Sequence, residues 1–261
     1  MANQIASNVT AGLIQAGIAA AAALAVVFLA RRRNIHVESD LGIALVRGIV
    51  QIAAVGSVLV LLLHGPRWTS GFILAAMMTA AAATSAKRAK MPGAFRVSIS
   101  SIFAGAGSVI AVMTAARVID SAITSLIPVG SMLIANAMNT NSLALNRFKA
   151  DVQSHVGQVE AALSLGAAAE QTVGPYVEAS FRASLIPAID SLRSLGIVWI
   201  PGLMAGMVLS GSPPIYAAIY QFVVLSMIFA ASGLTCLIST SMIRKHAFSP
   251  AEQLLLRTNS A

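Results

Sequence analysis

The stretch YAAIYQFVVLSMIFAASGLTCLISTS, residues 216–241, decides the class of fold. It contains no Asp, Glu, Lys or Arg, and a helix of about 20 apolar residues crosses the hydrocarbon core of a bilayer. The whole chain has the same character, since 57% of its 261 residues are hydrophobic and only 10% are charged. Soluble domains carry about 25% charged residues. A water-soluble fold could not bury so much apolar surface, so we predict an integral membrane protein.

Six further apolar runs precede this one. No alternating pattern of about ten residues recurs, so we predict helices and not a membrane barrel. The result is an all-α, polytopic membrane protein with about seven transmembrane helices in a single transmembrane domain, residues 1–261. The predicted spans are residues 9–30, 41–63, 71–86, 95–116, 124–145, 195–212 and 216–241.

Basic residues set the predicted orientation. Of the 17 Lys and Arg residues, all but Arg47, Arg67 and Arg117 fall on one side of the seven spans. Such clusters mark the cytoplasmic side, so the N-terminus is predicted outside and the C-terminus inside. In a bacterium this places a multi-pass protein in the inner (plasma) membrane. The net charge of +8 therefore reflects topology, and we expect membrane lipid and not nucleic acid as its surroundings.

One long loop, residues 146–194, is predicted on the cytoplasmic side. Val152, Val156, Val159 and Leu163 recur at helical spacing, which indicates an amphipathic helix. A second amphipathic stretch runs over residues 176–195. Such helices either lie on the membrane surface or dock into a groove of a soluble partner.

The stretch EAALSLG, residues 160–166, favours docking. It resembles the EAA loop of ATP-binding-cassette (ABC) permeases, a short helix that seats in a cleft of the ATPase subunit. The resemblance makes Glu160, Ala161, Ala162 and Gly166 the ATPase-coupling residues. Small alanines allow close approach, and the glycine permits a sharp exit from the helix.

Three further segments extend the resemblance. They are LIPVGSMLIANAM at residues 126–138, SLIPAIDSLRSLG at 184–196 and IPGLMAG at 200–206. In order and spacing they are similar to segments of the FetB-like permeases, a family of bacterial iron-export and plant aluminium-tolerance permeases. The resemblance implies a homodimer that works with a separate ABC-type ATPase subunit and exports a metal ion. ATP and Mg would bind that partner, because this chain has no phosphate-binding Gly-x-x-x-x-Gly-Lys-Ser/Thr loop. We therefore expect a transport subunit with no catalytic residues and no cofactor of its own.

Polar and thioether side chains in the fifth and sixth spans are candidates for the pathway. An Asn in a spanning helix needs a partner that lipid cannot offer, so it either bonds a neighbouring helix or lines a polar pathway. Met is either a core filler or a soft metal ligand. The candidates are Met132, Asn136, Met138, Asn139, Met204 and Met207, with Glu178, Asp190 and Arg193 at the inside mouth; the sequence leaves any metal site unknown.

Gly202 and Gly206 form a Gly-x-x-x-Gly step, which permits tight helix packing within one subunit or across a dimer. Two other classes of protein stay open at this point. An ion-driven secondary transporter would need no ATPase, but it needs a titratable group inside the membrane, and the apolar runs contain no acid. The other is a membrane scaffold without cargo.

Overall fold

The computed structural model describes residues 2–33, 42–52, 55, 68–249 and 252–256. It divides into two compact units, Met1–Gly65 and Pro66–Ala261. In the first unit, α1 spans Ala2–Arg32 and α2 spans Gly42–Ile52. Helix α1 contains the first predicted span. Most of the second span beyond α2 lies outside the described residues.

The second unit is helical throughout its described part. Its helices are α3 (Thr69–Ala89), α4 (Ala94–Ala115), α5 (Ile123–Ser154), α6 (Val156–Ser164), α7 (Ala169–Thr172), α8 (Gly174–Ser194), α9 (Gly202–Leu209) and α10 (Pro214–His246).

Four helices of the described residues are long and apolar enough to cross a membrane. They are Thr10–Arg31, Thr69–Ala89, Ala94–Ala115 and Pro214–His246. They coincide with the first, third, fourth and seventh predicted spans. Helix α5, at 32 residues, is long enough but more polar than these four. The total of seven spans and their orientation stay predictions.

The sixth predicted span, residues 195–212, is not one continuous helix. Helix α8 ends at Ser194, and the chain turns through Gly196, whose N–H donates to Trp199 O at 3.0 Å. Pro201 then precedes α9, which has 8 residues. At 1.5 Å per residue such a helix covers about 12 Å, less than half of the roughly 30 Å hydrocarbon core.

A π-helical turn at Phe103–Gly107 interrupts α4. Gly105 in this turn is buried against α10. Since glycine has no Cβ, the two backbones approach closely there. Helix α4 is thereby fixed against α10.

Two apolar clusters hold the second unit together. The central cluster joins α3, α4, α5 and α10 through residues such as Met78, Ile102, Leu133 and Met227. The end cluster lies where α3, α5 and α10 carry their basic residues, and it also takes in α6, α7 and the C-terminal segment. Its members are Ala89, Met91, Ala94, Val97, Leu145, Phe148, Val152, Val159, Ala169, Val173, Ile243, Ala247, Phe248, Leu254 and Leu256.

The C-terminal segment folds back onto the end cluster. Leu255 donates its N–H to Ala247 O at 2.8 Å, and Phe248 bridges to Leu254. Leu254 and Leu256 are buried there. Residues 252–256 are therefore part of the packed structure.

Candidate functional site

Helix α8 lies beside the long helices and not on a surface away from them. Ser184 Oγ lies 3.1 Å from Cys236 Sγ, and Cys236 is within the apolar run of α10. Leu192 packs against the central cluster, whereas Tyr176 packs against the end cluster. Residues 174–194 thus run alongside the long helices and contact α10 within its apolar run. Their position in a cytoplasmic loop stays a prediction.

A cavity of about 150 Å³ opens between α5, α8, α9 and α10. It is the place where side chains from all four helices converge. Its lining residues are Met132, Asn136, Ala188, Ser191, Trp199, Pro201, Gly202, Leu203, Gln221, Leu225 and Ile228.

Gln221 is the most unusual residue in this lining. It is fully buried, and neither its Oε1 nor its Nε2 has a hydrogen-bond partner among the described residues. A buried polar group without a partner costs about 1–3 kcal/mol. The sequence reasoning missed Gln221, although the signal was present: it is an amide inside the charge-free stretch 216–241.

Two of the six predicted pathway residues, Met132 and Asn136, line the cavity. Asn136 donates from Nδ2 to Met132 O at 2.9 Å within its own helix. Asn139 instead accepts a bond from Arg88 Nη1 at 3.2 Å, and Met138 packs against the central cluster. Met204 and Met207 are half-buried on α9 and are not among the lining residues.

Glu178, Asp190 and Arg193, the charged residues predicted at the inside mouth, lie along the uncovered face of α8. Arg182 pairs with Glu178 at 2.7 Å, and Arg193 pairs with Asp190 at 3.8 Å. All four side chains are more than half exposed. Asp190 and Arg193 are close in sequence to Ser191, which lines the cavity. Their position at an inside mouth stays a prediction.

Helix α5 also has an uncovered side, on which asparagines alternate with the 42% exposed Leu143. Asn136, Asn139 and Asn146 are exposed along it. We call the uncovered faces of α5 and α8 the polar face. Within a bilayer, such groups need water or a second protein surface against them, because lipid cannot hydrogen-bond them.

Asn141 has a different environment from the other asparagines. It is buried and donates from Nδ2 to Ser85 Oγ at 2.8 Å and to Ser98 Oγ at 2.9 Å. Ser142 Oγ donates to Ser85 Oγ at 3.1 Å. This network joins α3, α4 and α5, so Asn141 is a packing residue.

The predicted coupling residues lie on α6 or directly after it. This helix has one buried side and one uncovered side. Val159 is buried in the end cluster, and Leu163 packs against it. On the other side Ala161 and Ser164 are exposed, and Leu165 is 88% exposed. Gly166 ends this region at φ +88°, a conformation that favours glycine. Glu160 and Ala162 are half-buried.

Helix α6 is joined directly to α8. The rings of His155 and Tyr176 stack with centroids 5.2 Å apart. Tyr176 donates its O–H to Gln158 Oε1 at 3.3 Å. These two contacts connect the start of α6 to the start of α8, whose later residues Ala188 and Ser191 line the cavity.

Gly202 and Gly206 have open space around them. No atom of the described residues lies within 4 Å of the position of a Cβ on either glycine, beyond the neighbours in its own helix. Tight packing within this part of the subunit is therefore not observed. Packing across a dimer stays a prediction.

Among the described residues, no three His, Cys, Asp or Glu side chains come together as a potential metal site. His155 and His246, the two histidines that the structure describes, are not among the residues that line the cavity. Any cation in the cavity would meet neutral donors: amide and hydroxyl oxygens and a thioether.

Comparison with known proteins places the chain in a family. The match to the family described as Uncharacterised protein family (UPF0014) covers residues 13–248. The chain belongs to the UPF0014 family. This membership and the four membrane-capable helices make it a membrane protein.

Relatives within the UPF0014 family match over most of their length. The UPF0014 membrane protein STAR2 of Oryza sativa subsp. japonica is 30% identical over 93% of this chain and 86% of its own length. Protein ALUMINUM SENSITIVE 3 of Arabidopsis thaliana is 28% identical over 93% of this chain and 90% of its own. The probable iron export permease protein FetB of Escherichia coli (strain K12) is 29% identical over 88% of this chain and 90% of its own. No solved structure matches this chain significantly.

Proposed function

We propose that this UPF0014 protein is the membrane-spanning permease subunit of an ABC exporter for a metal ion. It works in the bacterial inner membrane as a homodimer with separate ATPase subunits. The observation that carries the proposal is the position of α6. This helix rests on the end cluster through Val159 and leaves Ala161, Ser164 and Leu165 uncovered.

The uncovered side of α6 suits a cleft in another protein. Ala161 and Ser164 are small, so a partner surface can approach the helix closely, and Leu165 is an apolar anchor of the kind that docks into a groove. Gly166 turns the chain away immediately afterwards. This arrangement supports a coupling helix that receives motion from an ATPase.

The connections behind α6 support transmission of that motion. The His155–Tyr176 stack leads to α8, and the ion pair between Arg244 and Glu170, at 3.2 Å, leads from α7 to α10. Both α8 and α10 line the cavity. Packed elements move as units because protein interiors are close-packed.

The polar face supports a dimer with an aqueous pathway. Two copies that bring their polar faces together would place Asn136, Asn139 and the ion pairs of α8 around a shared, water-filled space. The same arrangement would satisfy groups that lipid cannot. The open space at Gly202 and Gly206 would allow the partner copy to pack on α9.

The proposed cargo and direction rest on the printed name of one relative. The printed name of FetB describes a probable iron export permease, and it shares 29% identity with this chain over 232 residues. We extend that function to this protein, with an iron-like divalent ion as cargo.

Co-reconstitution with the ABC ATPase of its own host tests the proposal. The wild-type chain is expected to form a stable complex and to stimulate ATP hydrolysis in proteoliposomes. Ala161→Trp places a large ring on the docking side of α6 and is expected to abolish the complex while the chain still inserts. Ala19→Trp, on the exposed side of α1, is the matched control and is expected to assemble normally. Full assembly and transport in Ala161→Trp would refute the coupling role.

Ion-driven transport is the second candidate function, and one observation favours it. Asp190 directly precedes Ser191, which lines the cavity, so α8 carries a carboxylate one residue from the cavity lining. Such a transporter needs a titratable group within the membrane. Metal transport into proteoliposomes driven by a pH gradient without ATP would support this candidate. Strict dependence on ATP would exclude it.

A further inference from the structure

Helices α3 and α4 meet at a groove that takes no part in the proposed function. Only four residues, 90–93, join the two helices. An open groove of about 750 Å³ lies at this shared end, against His246 at the end of α10. Sites that accept a small molecule measure roughly 300–1,000 Å³, so the groove is large enough for one. None of its lining residues belongs to α6, α7 or α8.

Two cations from different helices line this groove. They are Lys87 of α3 and Arg96 of α4, and no Asp or Glu lines it. Within the part of the chain that the structure describes, neither has an acidic partner, whereas Arg147, Arg182, Arg193 and Arg244 each form an ion pair. Basic residues at a cytoplasmic helix end are expected from topology alone. Their convergence on one groove without a counter-ion is not, and it indicates an anionic ligand.

The imidazole of His246 forms one wall of the groove. Its ring lies directly over Gly93, so close that a Cβ on that residue would collide with it. Its Nδ1 lies 3.1 Å from Met242 O, an atom that can only accept, so Nδ1 carries a proton. Nε2 is then the ring nitrogen left for a ligand, and in the protonated ring it donates to an anion.

The groove is apolar on the side of the predicted membrane span. Ala83 lies four residues before Lys87, on the same face of α3 and about 6 Å further into its apolar run. Ala86 and the 47% exposed Phe95 also line the groove. Helix α3 has 21 residues and is about 32 Å long, close to the roughly 30 Å of a hydrocarbon core. When α3 crosses a bilayer, Lys87 therefore lies at the level of the lipid headgroups.

We infer that this groove binds an anionic phospholipid, with its phosphate between Lys87 and Arg96 and an acyl chain along Ala83 and Phe95. Arg can hold two phosphate oxygens through parallel N–H bonds, and Lys adds a compact charge. Basic pockets between membrane helices on the cytoplasmic side bind anionic headgroups in this way. A soluble anion would use the cations but not the apolar side, so the combination favours a lipid. The inference requires neither an ATPase nor a cargo and stands apart from the proposed function.

Native mass spectrometry of the full chain in detergent tests the site with two lipids. Phosphatidylglycerol is anionic, whereas phosphatidylcholine carries the same phosphate without a net charge. The wild type is expected to prefer phosphatidylglycerol. Lys87→Gln/Arg96→Gln is expected to lower this preference by about tenfold or more, because each Lys or Arg adds attraction to anionic lipid. Arg33→Gln/Arg88→Gln is the control. It removes the same charge outside the groove lining, since Arg33 is in the first unit and Arg88 bonds Asn139.

Thermal unfolding separates a lipid from a soluble anion. Phosphatidylglycerol is expected to raise the unfolding temperature of the wild type, whereas inorganic phosphate at the same concentration should not. Ala83→Trp fills the apolar side and leaves both cations in place, so it should also weaken phosphatidylglycerol binding. Ala230→Trp, on an exposed part of α10, is its control and should bind as wild type.

Three results would overturn the inference. The first is an unchanged preference for phosphatidylglycerol in Lys87→Gln/Arg96→Gln. The second is equal stabilisation of the wild type by inorganic phosphate. The third is loss of the ATPase complex in that double variant with lipid binding retained, which would make the groove a protein interface.

Discussion

Gly105 of α4 and Thr235 of α10 are in backbone contact, and a Cβ on Gly105 would lie 2.6 Å from Thr235 Cα. Gly105→Ala therefore forces α4 and α10 apart. Overpacking of this kind costs about 1–3 kcal/mol, and we expect a lower unfolding temperature in detergent. Gly107→Ala is the matched control, because its Cβ would meet Met78 Sδ at an ordinary 3.5 Å. Equal unfolding temperatures for the two variants would contradict the contact.

The Asn141 network gives a prediction about stability. Asn141→Ala removes the bonds to Ser85 and Ser98, and interhelical bonds in membranes are worth about 0.6 kcal/mol each on average. We expect a modest loss of stability in both Asn141→Ala and Ser98→Ala. The double variant should lose less than the sum of the two, as measured by a double-mutant cycle. Strict additivity would show that the bond between Asn141 and Ser98 contributes nothing.

The stack between His155 and Tyr176 gives a prediction about coupling. Tyr176→Ala removes the contact that joins α6 to α8, so ATP hydrolysis by the assembled complex should continue while metal transport falls. Tyr176→Phe keeps the ring and loses only the 3.3 Å bond to Gln158. It should keep most of the transport per ATP hydrolysed. If Tyr176→Ala transports as efficiently as Tyr176→Phe, the force passes by another route.

The polar face gives a prediction about water access. Cys236, the single native cysteine, is buried, so an added cysteine dominates labelling by a membrane-impermeant thiol reagent. Asn136→Cys and Asn139→Cys should be labelled in membrane vesicles. Leu237 is 54% exposed on an apolar side of α10. A cysteine there should be protected from the reagent by lipid. The same labelling at Asn136→Cys and Leu237→Cys would mean that the polar face does not border water.

Much of the helical framework was predictable from the sequence because the relevant signal is local. The runs 71–86 and 95–116 lie within a few residues of α3 and α4, since apolar length alone marks a spanning helix. The valine spacing correctly indicated burial of Val152 and Val159. It did not indicate that one amphipathic stretch breaks at His155, where φ is −121° and ψ is 25°.

The position of α8 was not predictable by the same means. Its charged residues resembled a helix at the membrane surface, because a charged side chain inside a bilayer is costly. The structure places it beside α5 and α10, where the charges lie on an uncovered face. Which protein surface or solvent contacts that face depends on tertiary and quaternary structure. The spacing of residues along the helix does not encode it. The importance of Gln221, by contrast, was predictable, because a Gln in a spanning helix needs a hydrogen-bond partner for the same reason as an Asn.

The fold-back of residues 252–256 onto the end cluster has a practical consequence for topology mapping. A reporter enzyme or fluorescent protein inserted between Ser249 and Leu256 would pull Leu254 out of its buried position. The same cluster supports Val159, so the insertion would also unseat α6. The reporter signal would then be misread as a wrong membrane orientation, although the cause is damage to the fold. A reporter attached beyond residue 256 would instead show on which side of the membrane the C-terminus of an intact protein lies.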